Sequence, residues 1–216
     1  MRSNSKPSEQ GAAEQGRQSF IEAARRAQII ECAIDAIAEL GFAQASLAQI
    51  AKRAGVSTGV ISYYFAGKDD LIREVAAHVY EVGRIHIEPR VQQQPDARSA
   101  LRAFIEAGVD FIAAKPLYPV AIMNISRAGG DAPRFDHAIE EPRRTGYVSI
   151  LGWGQEVGLF RAFDVSVMAA TIIEALDYIP HRLAAEPDLD LAAYARELVT
   201  LFDLATRHPN LSIRGD

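Results

Sequence analysis

The sequence predicts an all-α protein: a small three-helix headpiece followed by a larger helical domain, about nine helices in all. Three observations carry this. Apolar residues recur at helical spacing along nearly the whole chain. No stretch shows the apolar–polar alternation of a strand. Residues Ser46 to Asp70, SLAQIAKRAGVSTGVISYYFAGKDD, read as two short helices joined by a tight glycine turn and leading directly into a third. That is a helix-turn-helix, whose second helix is sized for the major groove of B-DNA.

Taken in order, residues 1–17 hold no large apolar residue after Met1 and are rich in Ser, Gln, Gly and charge, so a disordered arm is expected. Arg2, Lys6 and Arg17 could reach a minor groove, but a passive tail is the reading taken. The headpiece spans 18–67. Its first helix runs from about Ser19 to Leu40, with Phe20, Ala24, Ala27, Ile30, Ile34 and Ile37 along one face and Gly41 ending it.

The two short helices carry their own punctuation. Ser46 and Gln49 form the Ser-x-x-Gln capping box, and Gly55 falls where a left-handed residue ends a helix. Ser57 can cap the second helix. Val60, Ile61 and Phe65 give that helix an apolar side, which leaves Thr58, Gly59, Ser62 and Tyr63 facing outward. Hydroxyls and N–H groups at a helix start suit phosphate oxygens, and small residues let a backbone approach the groove floor. Gly59 inside a helix otherwise costs roughly 1 kcal/mol against Ala. Lys68 opens the next helix, where the macrodipole disfavours a cation, so a phosphate partner is expected for it.

The run IAKRAGVSTGVISYYFAGKDDLIREV resembles the DNA-binding headpiece of the tetracycline-repressor (TetR) family of bacterial regulators. The matching residues are Ile50-Ala51, Gly55-Val56-Ser57, Tyr63 to Phe65, then Lys68, Asp69 and Leu71, with Ala33, Ala36, Gly41 and Phe42 before them. The resemblance covers roughly residues 20–80. It implies a homodimeric, ligand-responsive repressor that holds a palindromic operator in double-stranded DNA. Ser46, Ser57, Thr58, Tyr63, Tyr64 and Lys68 are the expected phosphate anchors, with Thr58, Gly59, Ser62 and Tyr63 nearest the bases. Tyr64 departs from the His common in the family; its hydroxyl can serve the same partner.

The remainder, 68–216, is expected to be a ligand-binding and dimerisation domain. Its helices are placed at Lys68 to about Arg90, Ala97–Ala114, Pro116–Arg127, Phe135–Val157, Val165–Ala185 and Leu189–Arg207, with Pro89 and Pro95 bracketing a break and Pro142 able to divide the fourth. The Val165–Ala185 segment is apolar nearly all round and so must be covered on two sides. Pairing it with Leu189–Arg207 across a two-fold gives a four-helix dimer interface. Phe104, Phe111, Tyr118, Met123, Tyr147 and Trp153, with the sparse polar groups Asn124, Arg127, Asp177 and His181, are the candidate lining of a small-molecule site. Gly152 and Gly154 are expected to clear space beside Trp153. Tyr178 stands where the family often has Gly.

Composition narrows the class. Residues 1–67 carry seven Lys/Arg against six Asp/Glu, and 68–216 sixteen against twenty-two, within a net charge of -5. Affinity for DNA must then come from a few placed contacts doubled by two subunits, not from a broad basic field. A single cysteine, Cys32, and no run near the ~20 apolar residues of a membrane span point to the cytoplasm. The five histidines show no metal-ligand spacing, and no nucleophile elbow, phosphate loop or dinucleotide fingerprint is present, so no cofactor and no catalysis are expected. The rival reading is a small all-α carrier or enzyme that does not bind DNA.

Overall fold

The computed structural model describes residues 9–131 and 137–208. Among them the chain forms ten α-helices: α1 (Glu9–Leu40), α2 (Leu47–Ala54), α3 (Thr58–Tyr64), α4 (Lys68–Gln92), α5 (Ala97–Ala114), α6 (Leu117–Arg127), α7 (His137–Glu156), α8 (Val165–Asp177), α9 (Ile179–Ala185) and α10 (Leu191–Thr206). A 3-10 turn at Gly129–Asp131 and one isolated bridge between Phe160 and Arg207 complete the regular structure.

Local chemistry sets most boundaries. Asp96, Asp164 and Asp190 each turn a side-chain oxygen onto a first-turn N–H of α5, α8 and α10. Asp70 does a related job at α4, accepting from the Ala66 N–H at 2.9 Å across the α3–α4 turn.

Several boundaries differ from expectation. Helix α1 starts at Glu9, well inside the segment read as a disordered arm, because its Ala, Glu and Gln are strong helix formers that need no core. Residues 1–8, with Arg2 and Lys6, lie outside the described residues. Only from Ile29 onward is the apolar face of α1 covered; Phe20, Ala24 and Ala27 are exposed. Helix α4 runs through Pro89, and α7 runs through Pro142, each losing one backbone donor without stopping. The segment Val165–Ala185, by contrast, is two helices. Pro180 is the second residue of α9 and has no N–H for the Leu176 carbonyl, so the chain breaks at Tyr178.

Two apolar cores result. The first joins α1, α2, α3 and the start of α4 to Phe111, Tyr118, Ala121 and Ile125 from α5 and α6. The second packs α5, α7, α8 and α10 around Leu101, Ile105, Tyr147, Leu151, Ile172 and Phe202. Helix α6 therefore belongs by packing to the headpiece as much as to the second domain.

Candidate nucleic-acid interface and buried polar cluster

The helix-turn-helix is locked by its own backbone. Ser46 Oγ accepts from the Gln49 N–H at 3.2 Å, and Ser57 Oγ accepts from the Val60 N–H at 3.4 Å. Gly55 sits at φ 65°, ψ 33°, and the Val56 and Gly55 N–H groups close on Ala51 O and Lys52 O at 3.0 and 3.3 Å. That is a Schellman ending, which fixes the angle between α2 and α3.

Helix α3 turns Ile61 fully into the core, with Phe65 behind it. Thr58, Gly59, Ser62 and Tyr63 all point to solvent, Tyr63 with 73% of its surface exposed. A Cβ added at Gly59 would meet nothing nearer than Ser57 Oγ at 3.6 Å, so no packing inside the chain calls for glycine there. Ser62 Oγ donates to Thr58 O at 3.2 Å, leaving its lone pairs outward. Tyr63 and Tyr64 meet edge to face at 5.0 Å; Tyr64 is half-buried and braces Tyr63 instead of standing beside it as an equal.

Lys68 behaves otherwise than the sequence suggests. Its Nζ donates to Phe42 O at 2.8 Å and lies 4.2 Å above the Phe42 ring. Burial pushes its pKa down, against the pull of Asp69. The cation thus ties the α1–α2 turn to the start of α4, an internal use that explains its place at a helix N-terminus. Other headpiece cations are also engaged: Arg53 with Glu39, and Arg26 with Glu74 at 2.9 Å.

The ten residues named for a small-molecule site do not form one group. Tyr118 and Asn124 belong to the joint between α6 and α1. Tyr118 Oη donates to Glu31 Oε1 at 2.6 Å, and His78 Nε2 reaches the same oxygen at 3.0 Å. Asn124 Nδ2 donates to Ile37 O and Ala38 O at 2.9 and 3.3 Å, near the C-terminal end of α1. Arg127 Nη2 meets His181 Nδ1 at 2.5 Å, joining the end of α6 to α9. Met123 is half-buried on α6, and Phe111 packs against Gly83 and His86 of α4. Trp153 is exposed.

Three of the ten do gather. Phe104 lies over the Tyr147 ring at 4.0 Å, and Tyr147 is completely buried. One turn before it on α7, Arg143 Nη1 donates to both Asp177 oxygens, at 2.8 and 3.0 Å. Burial works against the charge on Arg143, and the Asp177 carboxylate together with Tyr147 and Tyr80 outweighs it and holds the guanidinium cationic. Burial also pushes the Tyr147 phenol up. Its hydroxyl has no hydrogen-bond partner among the described residues, a state that costs about 1–3 kcal/mol. The sequence offers no local sign of Arg143, which sits in the run EEPRR at 140–144.

Gly154 does not clear space beside Trp153. A Cβ there would fall 2.0 Å from Phe160 Cδ2, so the missing side chain is what admits the Phe160 ring. A concavity of about 330 Å³ lies instead on the outer face of α10, lined by Tyr194, Leu198, Leu201 and Leu204 among others. Val167 of α8 and Tyr178, just past its end, are exposed as well.

Residues 29–75 match the family model described as bacterial regulatory proteins, tetR family. The HTH-type transcriptional regulator BetI 1 of Chromohalobacter salexigens is 39% identical over 87 residues, 40% of this chain and 43% of that protein. The chain thus spans less than half the length of the curated relatives it matches. Among solved structures, the transcriptional regulator FadR from Bacillus subtilis in complex with stearoyl-CoA superposes with a TM-score of 0.74 at 22% identity, covering 81% of this chain and 95% of that one. AibR in complex with isovaleryl coenzyme A and operator DNA superposes with a TM-score of 0.71 at 17% identity, covering 82% and 97%. At such identities these two likenesses establish the fold. Among the described residues no helix is long and apolar enough to cross a membrane.

Proposed function

We propose that this chain, whose headpiece belongs to the TetR family of bacterial regulators, is a transcriptional repressor that grips a palindromic operator as a homodimer and lets go when a small molecule occupies its second domain. The observation that carries this is the outward flank of α3: hydroxyls, a glycine without internal purpose and an exposed tyrosine, on a helix held rigidly from behind. Ser46, Ser57, Thr58, Tyr63 and Tyr64 would anchor phosphates while Gly59 and Ser62 lie nearest the base edges. Lys68 would act chiefly by setting the pose of α3.

Two copies are needed because each headpiece offers few cations. The exposed apolar residues of α8 and the groove on α10 supply a two-fold contact. The dimer must hold its two α3 helices about 34–36 Å apart to enter successive major grooves. The protein works without catalysis, in the cytoplasm. Relatives being regulators supports the first point.

The test is binding of the full chain to a duplex carrying the palindrome beside its gene, read by fluorescence anisotropy across a salt series. Wild type should bind with a shallow salt dependence, since few cations face the duplex, and Tyr63→Ala should weaken binding with an unchanged melting temperature. Equal affinity of the two would remove Tyr63 from the interface, and absent binding would favour the carrier reading. Sedimentation at micromolar concentration should show a dimer.

A further inference from the structure

Four groups from three helices meet in the second domain: Arg143 and Tyr147 on one face of α7, Asp177 at the last turn of α8, and Phe104 of α5 over the tyrosine ring. Spacing of four along α7 stacks the guanidinium and the phenol on the same side. Tyr80 of α4 also acts on the Arg143 guanidinium. Arg143 engages Asp177 through Nη1 alone, short of the two-nitrogen fork that arginine makes with a well-seated carboxylate. The Tyr147 hydroxyl, in a side chain with 0% exposure, has no partner among the described residues.

The pair is also lopsided. The Arg143 side chain is 23% exposed and that of Asp177 is 51% exposed. The cation is the enclosed partner, and the carboxylate is the one able to swing into water. A competitor for this site must therefore resemble the carboxylate.

Resting on the regulator reading above, we propose that the effector is an organic carboxylate. Its head displaces Asp177 from Arg143 and accepts from the Tyr147 hydroxyl, and its apolar body lies where the Phe104 ring now covers Tyr147. The departure of Asp177 is the signal. Asp177 ends α8 immediately before the Tyr178–Pro180 break, and the next helix holds Arg127 through His181. Arg127 ends α6, whose Asn124 and Tyr118 grip α1 of the headpiece. Side-chain contacts, joined by the short helix α9 and by α6 themselves, thus connect the carboxylate site to the helix that supports α3.

Two measurements on the full chain test this. Asp177→Asn removes the charge that the effector is held to displace. It should weaken operator binding at least tenfold with no compound added, with helix content and dimer intact, and wild-type affinity in this variant would overturn the signalling route. Independently, thermal melting of wild type is followed with benzoate or octanoate against benzamide or octanamide. An acid should raise the melting temperature where its amide does not, and Arg143→Met and Tyr147→Phe should abolish or reduce the shift. No shift from either acid, or equal shifts from acid and amide, would overturn the carboxylate class. A wild type that never binds DNA would fail the regulator reading while leaving the melting result to stand or fall alone.

Discussion

Two glycines two residues apart in α7 make opposite predictions when each becomes alanine. At Gly152 an added Cβ meets nothing within 4 Å. Only the helix propensity changes, so Gly152→Ala should stabilise the protein by about 0.5–1 kcal/mol. At Gly154 the same methyl lands 2.0 Å from Phe160 Cδ2 and 2.3 Å from Cε2, and ordinary contact begins at about 3.5 Å. The ring has little room to retreat. Phe160 is buried, its N–H is bonded to Gly154 O at 2.9 Å, and its chain is bridged to Arg207. Overpacking of this sort costs roughly 1–3 kcal/mol, and expelling the ring would forfeit about 1.5–3 kcal/mol of burial. With the propensity gain subtracted, Gly154→Ala should be destabilised by about 2 kcal/mol. For a chain of this size that corresponds to a fall of roughly 4–8 °C in melting temperature, against a rise of roughly 1–4 °C for Gly152→Ala. Circular dichroism melts of the three proteins, with helix content checked at low temperature, decide the matter. Shifts of the same sign and size would mean that the ring of Phe160 does not fill this space and that α7 borders an open interior.

Removing the Ser57 cap (Ser57→Ala) should cost about 1 kcal/mol of stability, measurable by urea unfolding, and should weaken operator binding further by fraying the start of α3. Gly55→Ala puts a side chain on a left-handed residue and should cost about 1–2 kcal/mol in the same assay. Arg98 holds the Asp203 carboxyl below its usual range near 3.8. The pair therefore stabilises the fold above that pH and fades as pH falls through the lowered value. Because Arg98 is largely exposed, about 0.5 kcal/mol is at stake. The acid limb of a pH–stability profile should accordingly flatten slightly in Asp203→Asn. Asn124→Ala leaves the Ile37 and Ala38 carbonyls without that donor and should cost about 1 kcal/mol, seen as faster hydrogen exchange at the end of α1.

The headpiece was legible in the sequence because its determinants are local. Each of Ser46, Gly55 and Ser57 finds its backbone partner within five residues, so spacing alone exposes the caps and the turn. The outward flank of α3 follows from the same periodicity. Lys68 was misread because its partner, Phe42 O, lies 26 residues back across a turn. Asn124 and Tyr118 looked like pocket residues for the same reason: their partners on α1 stand 87 residues away. Gly154 is a nearer miss. Gly158, at φ 74°, folds the chain so that Phe160 returns onto the helix it has just left, and a glycine at that offset was the available clue. Pro180 was visible too, but the apolar run around it masks a break that only the missing N–H dictates. In the run EEPRR at 140–144 two acids precede two arginines, and nothing local distinguishes the one arginine that Asp177 draws inward.

The sharing of α6 between the two halves of the molecule bears on how such proteins can be recombined. Tyr118, Ala121 and Ile125 close the underside of the reading head, and Asn124 holds the end of its longest helix. A head exchanged at Gly67 for one from another regulator would arrive without the surface against which it is moulded. Chimeras that keep α1 and α6 together should therefore remain responsive, and those that part them should bind DNA loosely or ignore their effector.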